Sequence, residues 1–402
     1  MKKQIFIIGV FFTLSLAVFA QQLTHESEVI NVEVPVRVVK GGKFVDNLTL
    51  DDFELHEDGK LQKIEAVYLI RKTEIERKEE KTKFIPETSR NFFIFFEVTE
   101  YTLELRDTIS YFVKDVLAPG DNLVVVTPVK TYQMKSQTLE LLSRERIVEQ
   151  LTKILRKDAV LGNSEYRNLF KDLTNLIREL SSEMEAQSLL SPEEFGELTF
   201  ENKLSLYRDL LERFDDMKNV DQKKLLDFAE FLKDKEGQKY VFLLYQREFI
   251  PQMEQRLLHQ YIGINLDKQD VLFTLSELFD YYRRDIYIDV DLVKQAFADS
   301  SISIHFLFFT KPRQYIPGVY MAEHSEGVYS AFKQMAEATG GFTGSSADPV
   351  HLFHKAVEAS ENYYLIYYAP IDYKRDGKFK NIKIKVKNKN YRISHRAGYF
   401  AN

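Results

Sequence analysis

Hydrophobic and polar residues alternate near both ends of the chain. Residues 29–39 and 382–387 place an apolar side chain at about every second position, and shorter runs of similar kind follow the first of these segments. Alternation with period two is typical of strands that bury only one face. We therefore predict antiparallel strands at both ends, with Pro35 marking the first of them as an edge strand or a bulge.

The middle of the chain has a different pattern, in which continuous apolar runs are separated by amphipathic segments. Strands that are apolar on both faces and are connected by helices indicate a mostly parallel sheet covered on both sides, an α/β fold of the doubly wound type. The predicted strands are Phe92–Phe96, Leu123–Val126, Tyr240–Tyr245, Ile302–Phe309 and Tyr363–Tyr368, and the predicted helices include 105–116, 326–338 and 350–359.

Two stretches are longer than such connections need, about 143–236 and 251–290, and we interpret both as helical insertions. The first contains two apolar stripes at helical spacing. Such stripes are usually buried faces, and the alternative is an open surface that binds a partner. The stripes are Leu169, Leu173, Ile177 and Leu180, and Leu204, Tyr207, Leu211 and Phe214.

The two alternating ends are too short to form domains separately, because an isolated hairpin is only marginally stable. We expect residues 26–71 and 374–402 to pair into one small β-sandwich, with the α/β domain of 91–370 inserted between them. A charged segment, 72–90, is interpreted as a strandless linker.

A short basic start, Lys2-Lys3, precedes an apolar run that ends at Ala20. This arrangement predicts a cleavable signal peptide over 1–20, with a membrane anchor as the alternative. Export would place the protein in the periplasm, at the outer membrane or outside the cell, with no transmembrane segment after cleavage.

Composition excludes several classes of function. The chain has no cysteine, so disulfides, thiol catalysis and cysteine-bound zinc are absent. Its formal net charge is −6, which argues against general nucleic-acid binding.

Several separated motifs resemble the von Willebrand factor A-related proteins of the acidobacteria-type family. The resemblance covers most of the chain except the insertions. It implies an A-type α/β domain whose relatives usually mediate protein contacts, and hence a binding or scaffold protein with an envelope or extracellular protein as partner rather than an enzyme. The motifs are residues 50–64, Ala338-Thr339-Gly340-Gly341, residues 363–368, residues 377–384 and Arg396-Ala397-Gly398-Tyr399-Phe400.

The resemblance also implies where a divalent cation would bind. A-type domains commonly hold Mg²⁺ or Ca²⁺ with an Asp-x-Ser-x-Ser motif after the first strand, a Thr from a second loop and an Asp from a third. The first motif corresponds here to Glu97, Thr99 and Tyr101. All three positions depart from the pattern, and the bulky Tyr101 phenol is expected to crowd a cation.

The other two ligand positions also depart from that pattern. Ser164 is the closest hydroxyl for the second loop, while Gln246 and Arg247 stand where the third loop would supply Asp. An arginine near the pocket would repel a cation. We therefore expect a degenerate site without metal or cofactor, and the open alternative is a metal-dependent adhesin with Mg²⁺ or Ca²⁺.

An extracellular enzyme is the other alternative, with its site in the inserted helices or with Glu97 and Glu100 as an acid/base pair. His351 and His354 are one helical turn apart, but a polar helix face explains them better than a metal site. Residues 340–346 resemble a phosphate loop without its Gly-Lys-Ser/Thr ending, so we interpret them as a turn before a helix.

A lysine face is predicted on one carboxyl-terminal strand. Its members could contact anionic lipid or polysaccharide, or they could simply protect a strand edge from aggregation. They are Lys383, Lys385, Lys387 and Lys389.

Overall fold

The computed structural model describes residues 30–135, 137–187, 197–217, 220–264, 288–323, 325–387 and 390–402. The predicted signal peptide, Lys389 and most of the second insertion lie outside the described residues. The structure is a mixed α/β fold with parallel and antiparallel strands. Among the described residues, no helix is both long and apolar enough to cross a bilayer.

The strands are β1 (Val32–Lys40), β2 (Lys43–Phe44), β3 (Phe53–Glu57), β4 (Lys60–Gln62), β5 (Ile64–Arg71), β6 (Glu74–Glu80), β7 (Arg90–Glu97), β8 (Asn122–Val126), β9 (Thr131–Met134), β10 (Gln238–Gln246), β11 (Phe249–Gln252), β12 (Ile302–Phe309), β13 (Tyr320–Glu323), β14 (Thr343–Ser346), β15 (Asn362–Tyr368), β16 (Phe379–Val386), β17 (Arg392–His395) and β18 (Gly398–Phe400). The helices are α1 (Leu103–Tyr111), α2 (Thr138–Leu141), α3 (Arg144–Gly162), α4 (Ser164–Gln187), α5 (Glu197–Asp216), α6 (Gln222–Lys233), α7 (Gln255–Ile264), α8 (Val290–Asp299), α9 (Glu326–Ala338) and α10 (Pro349–Glu361).

The central sheet has the order β14-β12-β10-β7-β8-β9. All neighbouring strands are parallel except β9, which runs antiparallel to β8 at one edge. One face is covered by α1, α3 and α10, and the other by α6, α8 and α9. If the six strands of this sheet are counted in chain order, with β7 as the first, their order across the sheet from the β9 edge is 3-2-1-4-5-6. The connections therefore leave β7 and β10 in opposite directions and open a crevice at the carboxyl ends of these two strands.

The prediction that Tyr363–Tyr368 belongs to the parallel sheet is wrong. This segment is β15, which runs antiparallel between β1 and β5 in a second sheet of order β17-β1-β15-β5-β6. Tyr364 and Ile366 face one apolar core, whereas Tyr363 and Leu365 face another. A strand buried on both faces is therefore equally apolar in either kind of sheet, and the pattern alone does not separate them.

Strands from the two ends of the described chain pair with each other. The amino-terminal β3 is antiparallel to β16, and β1 is antiparallel to β17. The small sheet β18-β16-β3-β4 packs with the second sheet around a shared core that includes Val34, Leu55 and Ile384. At Pro35 itself β1 pairs only with β15, and β17 joins the other side from Val36 onward, so Pro35 lies on a locally unpaired edge, as predicted.

The segment 72–90 is not strandless. It contains β6, which adds to β5 at the edge of the second sheet. Most side chains of β6 are exposed, as in Glu74-Ile75-Glu76, so the strand has no apolar alternation from which it could be predicted. Backbone hydrogen bonds to a neighbour suffice for such an edge strand, and its charged side chains oppose edge-to-edge aggregation.

The two predicted apolar stripes are buried, as expected. They meet in a second helical core formed by α4, α5, α7 and β11, to which β13 adds as an antiparallel partner of β11. The boundaries 143–236 are wrong for this insertion, however. Leu155 of α3 and Leu232 of α6 pack on opposite faces of the central sheet. Of the described helices in this range, only α4 and α5 therefore pack away from the sheet. Helical periodicity shows that a face is buried but not against which core.

Candidate binding site at the carboxyl edge of the central sheet

The crevice at the carboxyl ends of β7 and β10 brings two loops together. The strands run in parallel register up to the pair Glu97 and Tyr245, so the loop 98–101 lies beside Gln246, the last residue of β10, and the loop that follows it. In a doubly wound sheet this is the position at which ligands usually bind. The resemblance assigns Glu97, Thr99 and Gln246 to one site, and in the structure Thr99 contacts Gln246 while Glu97 ends the neighbouring strand.

Gln246 connects the two loops through a single oxygen. Its Oε1 accepts hydrogen bonds from the Thr99 backbone N–H at 3.1 Å, the Thr99 hydroxyl at 2.9 Å and the Glu100 backbone N–H at 3.0 Å. Gln246 is only 6% exposed. This bond set fixes the conformation of the loop after β7.

The same arrangement has a clear electrostatic preference. Three donors point their partially positive hydrogens at one position, and a neutral amide oxygen occupies it. A hard cation instead requires several oxygen lone pairs directed at it. The convergence of donors suits a neutral or negative oxygen at this point.

Glu97 lines a cavity beside these loops. The cavity has a volume of about 380 Å³ and is lined mostly by apolar side chains, among them Phe95, Phe228 and Phe332. Although Glu97 retains exposed surface, the surrounding protein removes water from its carboxylate, and this desolvation raises the pKa of Glu97 above its usual value. Tyr245 also lines the cavity, and burial raises its pKa.

Tyr101 does not crowd the space next to Gln246, contrary to the prediction. Its ring is partly buried against the core beneath α1 and α3, with the Phe96 ring centroid 6.1 Å away. Burial raises the pKa of its phenol. The reason for its position is ordinary packing, since an aromatic ring gains more from apolar neighbours than from a wet loop.

Ser164 does not contribute to the site either. It is exposed at the start of α4, and its hydroxyl donates to the Leu161 carbonyl oxygen at 2.8 Å. The residue beside it, Asn163, reaches the site instead: its Nδ2 donates to the Val98 carbonyl at 3.0 Å and to the Ala159 carbonyl at 2.8 Å. Sequence reasoning missed Asn163, although Gly162-Asn163 is a recognisable helix end.

Charged residues near the crevice are paired with partners from other loops. Arg247 lies 3.0 Å from Glu323, and its guanidinium packs over the Phe308 ring at 5.5 Å. Glu100 lies 3.2 Å from Lys311. Glu97 and Glu100 thus have different surroundings, because one faces an apolar cavity and the other is held in an exposed ion pair.

The remaining candidate motifs have structural partners. His354 stacks on Tyr111 with ring centroids 3.5 Å apart, while His351 is exposed at the start of α10. Residues 343–346 form β14 rather than a turn that leads directly into a helix. In the described part of the chain, no group of three or more His, Asp or Glu side chains is arranged to hold a metal ion.

No family profile and no curated sequence matches the chain. Among solved structures, it is similar to the crystal structure of the human COPII-coat protein Sec24c, with 9% sequence identity and a TM-score of 0.28. The alignment covers 79% of this chain but only 44% of that chain, so it spans less than half of that protein's length. A similarity this low carries no argument about fold or function.

Proposed function

We propose that this chain is an exported protein-interaction protein, a scaffold or adhesion component of the cell envelope, and not an enzyme. The proposal includes the finer fold assignment, in which the α/β unit is a von Willebrand A-like domain inserted in a β-sandwich made from both chain ends. It is supported by the sequence motifs and by the strand order 3-2-1-4-5-6 with its antiparallel third strand. The partner is another envelope or extracellular protein.

The observation that carries the proposal is the bond set around Gln246. In related domains a cation holds the loop after the first strand and joins it to the partner. Here the amide oxygen of Gln246 holds the equivalent loop through Thr99 and Glu100. These bonds hold the loop through protein atoms alone, which supports the proposal that contacts with a partner do not require an ion. This is a degenerate adhesion site retained for its structure.

Affinity capture tests the proposal. The full chain is immobilised and exposed to the envelope fraction of its own cell, once with Mg²⁺ and Ca²⁺ and once with EDTA. We expect one protein to be retained at equal yield under both conditions. Retention only in the presence of the cations would overturn the metal-independent mechanism, and retention of no protein would overturn the interaction role.

A matched pair of variants controls this experiment. Gln246→Leu removes the acceptor that orders the loop, so it is expected to reduce capture. Ser164→Ala changes the position that the resemblance assigned to the site but that lies outside it. We expect capture by Ser164→Ala to equal that of the unmodified chain.

A further inference from the structure

An open cleft lies between the β-sandwich and the α/β unit. It has a volume of about 1020 Å³ and is lined by residues of β1, β16 and β17 on one side and of α9, α10 and the segment leading into β14 on the other. This volume is just above the range usual for ligand sites, ~300–1,000 Å³. We name it the basic cleft, for its cationic side chains Arg37, Lys333, Lys355, Lys383 and Arg392.

The cations of the basic cleft outnumber its carboxylates. Glu337 and Glu358 are the acidic residues in the described lining. Glu358 lies 3.1 Å from Lys355, and its charge also acts on Arg37. One carboxylate cannot neutralise both. The described part of the chain gives no ion-pair partner to Lys333, Lys383 or Arg392. The cleft therefore has an excess of positive charge facing water.

Within the described residues, two buried side-chain atoms of the lining also have no hydrogen-bond partner. They are Nε of Arg37 and Oγ1 of Thr343, which come from opposite sides of the cleft. A buried polar atom without a hydrogen bond costs about 1–3 kcal/mol. Because both atoms are closed off from solvent, their side chains must turn towards the cleft before a ligand can accept from them. The exposed Lys333, Lys383 and Arg392 can donate directly, and a carboxylate is an acceptor that suits them.

We propose that the basic cleft binds an acidic peptide segment of a partner protein, through the carboxylates of that segment. This rests on the proposed interaction function and deepens it by assigning the surface. Apolar lining residues such as Phe342, Ile382 and Ile393 give the side chains between the carboxylates a place to pack. A cleft in which cations are mixed with apolar residues and two glutamates matches a peptide better than it matches a uniform polyanion.

Other anionic ligands fit less well. A flat bilayer cannot place its headgroups inside a cleft between two packed units. Anionic polysaccharide has no apolar side chains to pack against Phe342, Ile382 and Ile393, and the net charge of −6 on the chain as a whole disfavours nucleic acid. These ligands are outcomes of the test.

The test is fluorescence anisotropy with the full chain and a fluorescein-labelled peptide of glutamates with interspersed leucines. We expect binding at about 50 mM salt that weakens strongly at about 500 mM, because salt screens the charges. A peptide with lysine in place of glutamate should not bind. Unlabelled polygalacturonate and vesicles of anionic lipid serve as competitors. Absence of peptide binding at low salt, or displacement by either competitor but not by unlabelled acidic peptide, overturns the proposal.

Variants locate the binding on the molecule. Lys333→Glu combined with Arg392→Glu should weaken peptide binding by at least about tenfold, since two exposed contacts become repulsive. Arg146→Glu combined with Lys171→Glu makes the same change in net charge on exposed positions outside the lining, and we expect less than about a threefold effect. Equal losses in both pairs would show general charge attraction and contradict the site.

A milder pair of substitutions at the same positions controls for unfolding of the variant. Lys333→Gln combined with Arg392→Gln should give an intermediate loss of peptide binding, with an unchanged circular dichroism spectrum.

The proposed interaction function and the proposed basic cleft can be contradicted independently of each other. If a partner is captured but the peptide does not bind, the basic cleft is wrong. If the peptide binds at the cleft but no partner is captured, the interaction role is wrong.

Discussion

The Tyr368 hydroxyl donates a hydrogen bond to Oε2 of Glu57 at 2.6 Å, although the two residues are 311 positions apart in the chain. Tyr399 donates to the same oxygen at 3.0 Å. Glu57 is 7% exposed and Tyr368 is fully buried. One buried carboxylate thus ties β3, near the start of the described chain, to β15 and β18 near its end.

We expect Tyr368→Phe to destabilise the fold by about 1.5–3 kcal/mol, the usual contribution of a hydrogen bond to a charged group. The ring packing stays, so the loss reports the hydroxyl alone. Chemical denaturation followed by circular dichroism measures it. Tyr315→Phe is the matched control, because Tyr315 is 89% exposed, and it should change the stability by less than about 0.5 kcal/mol. Equal stabilities of the two variants would contradict this role.

The pairing of the chain ends could be inferred from the sequence because neither end has enough strands to form a domain by itself. Each end contains alternating strands but too few of them to bury their apolar faces, so each needs the other. The strand pairs β1 with β17 and β3 with β16 agree with that expectation. The apolar β15 could not be assigned to its sheet, because its burial on both faces removes the alternation that would have marked it as antiparallel.

The position of the candidate site could be inferred from the family resemblance, which assigns Glu97 and Gln246 to one site, but its bonding could not. The strand order seen in the structure puts both residues at one crevice. Whether an amide accepts three donors or turns away depends on loop geometry, which no short-range pattern encodes. For the same reason the resemblance points to Ser164, although the neighbouring Asn163 makes the contact.

Replacing Gln246 should destabilise the fold, because three hydrogen-bond donors lose their acceptor. We expect Gln246→Leu to lower the free energy of unfolding by about 2–3 kcal/mol, because Thr99 and the Glu100 N–H lose their common acceptor in a buried place. Gln246→Glu keeps an acceptor and should lose less. A loss below about 0.5 kcal/mol for Gln246→Leu would show that the loop is ordered by other contacts.

Divalent cations should leave the stability of the unmodified chain unchanged. A ligand that binds only the folded state raises its stability in proportion to the logarithm of its concentration above Kd. We therefore expect the same unfolding midpoint with millimolar Mg²⁺ or Ca²⁺ as with EDTA. A midpoint that rises with cation concentration, and that fails to rise in Glu97→Ala, would establish a metal site.

We expect His305 to make the fold sensitive to mild acid. Its Nδ1 accepts from the Phe342 backbone N–H at 3.2 Å, its ring stacks on Phe242 at 4.9 Å, and burial lowers the pKa of His305 to about 3. The folded state therefore resists protonation, while the unfolded state takes up a proton near the ordinary value of 6.5. The contribution of His305 is fully present above pH 6.5 and is lost as the pH falls from 6.5 towards 3.

This predicts a falling free energy of unfolding between pH 6.5 and about 5, with a slope of up to about 1.4 kcal/mol per pH unit from this one group. His305→Phe should be less stable at pH 7, because it loses the acceptor for Phe342, but its slope in this window should be flatter. His351→Gln alters an exposed histidine and should keep the original slope. Denaturation series at several pH values measure both variants. An unchanged slope in His305→Phe would contradict the assignment.

Glu97 should show the opposite pH behaviour. Desolvation raises the pKa of its carboxyl above the ordinary 4.5, so the folded state holds this proton more tightly than the unfolded state does. The folded state is accordingly favoured at acid pH and loses that advantage as the pH rises from 4.5 through the raised pKa. At pH 7 the charged carboxylate destabilises the fold, by less than about 1 kcal/mol because it remains partly hydrated.

Glu97→Gln should therefore stabilise the protein at pH 7 and have no such effect below pH 4.5, because the neutral amide replaces a costly charge beside the apolar cavity. Thermal unfolding at the two pH values measures this difference. Glu100→Gln is the matched control: it removes an exposed ion pair with Lys311 and should lower the stability at pH 7 slightly or leave it unchanged. A Glu97→Gln protein that is less stable at pH 7 would mean that the carboxylate binds a favourable partner there, and it would revive the cation-dependent alternative.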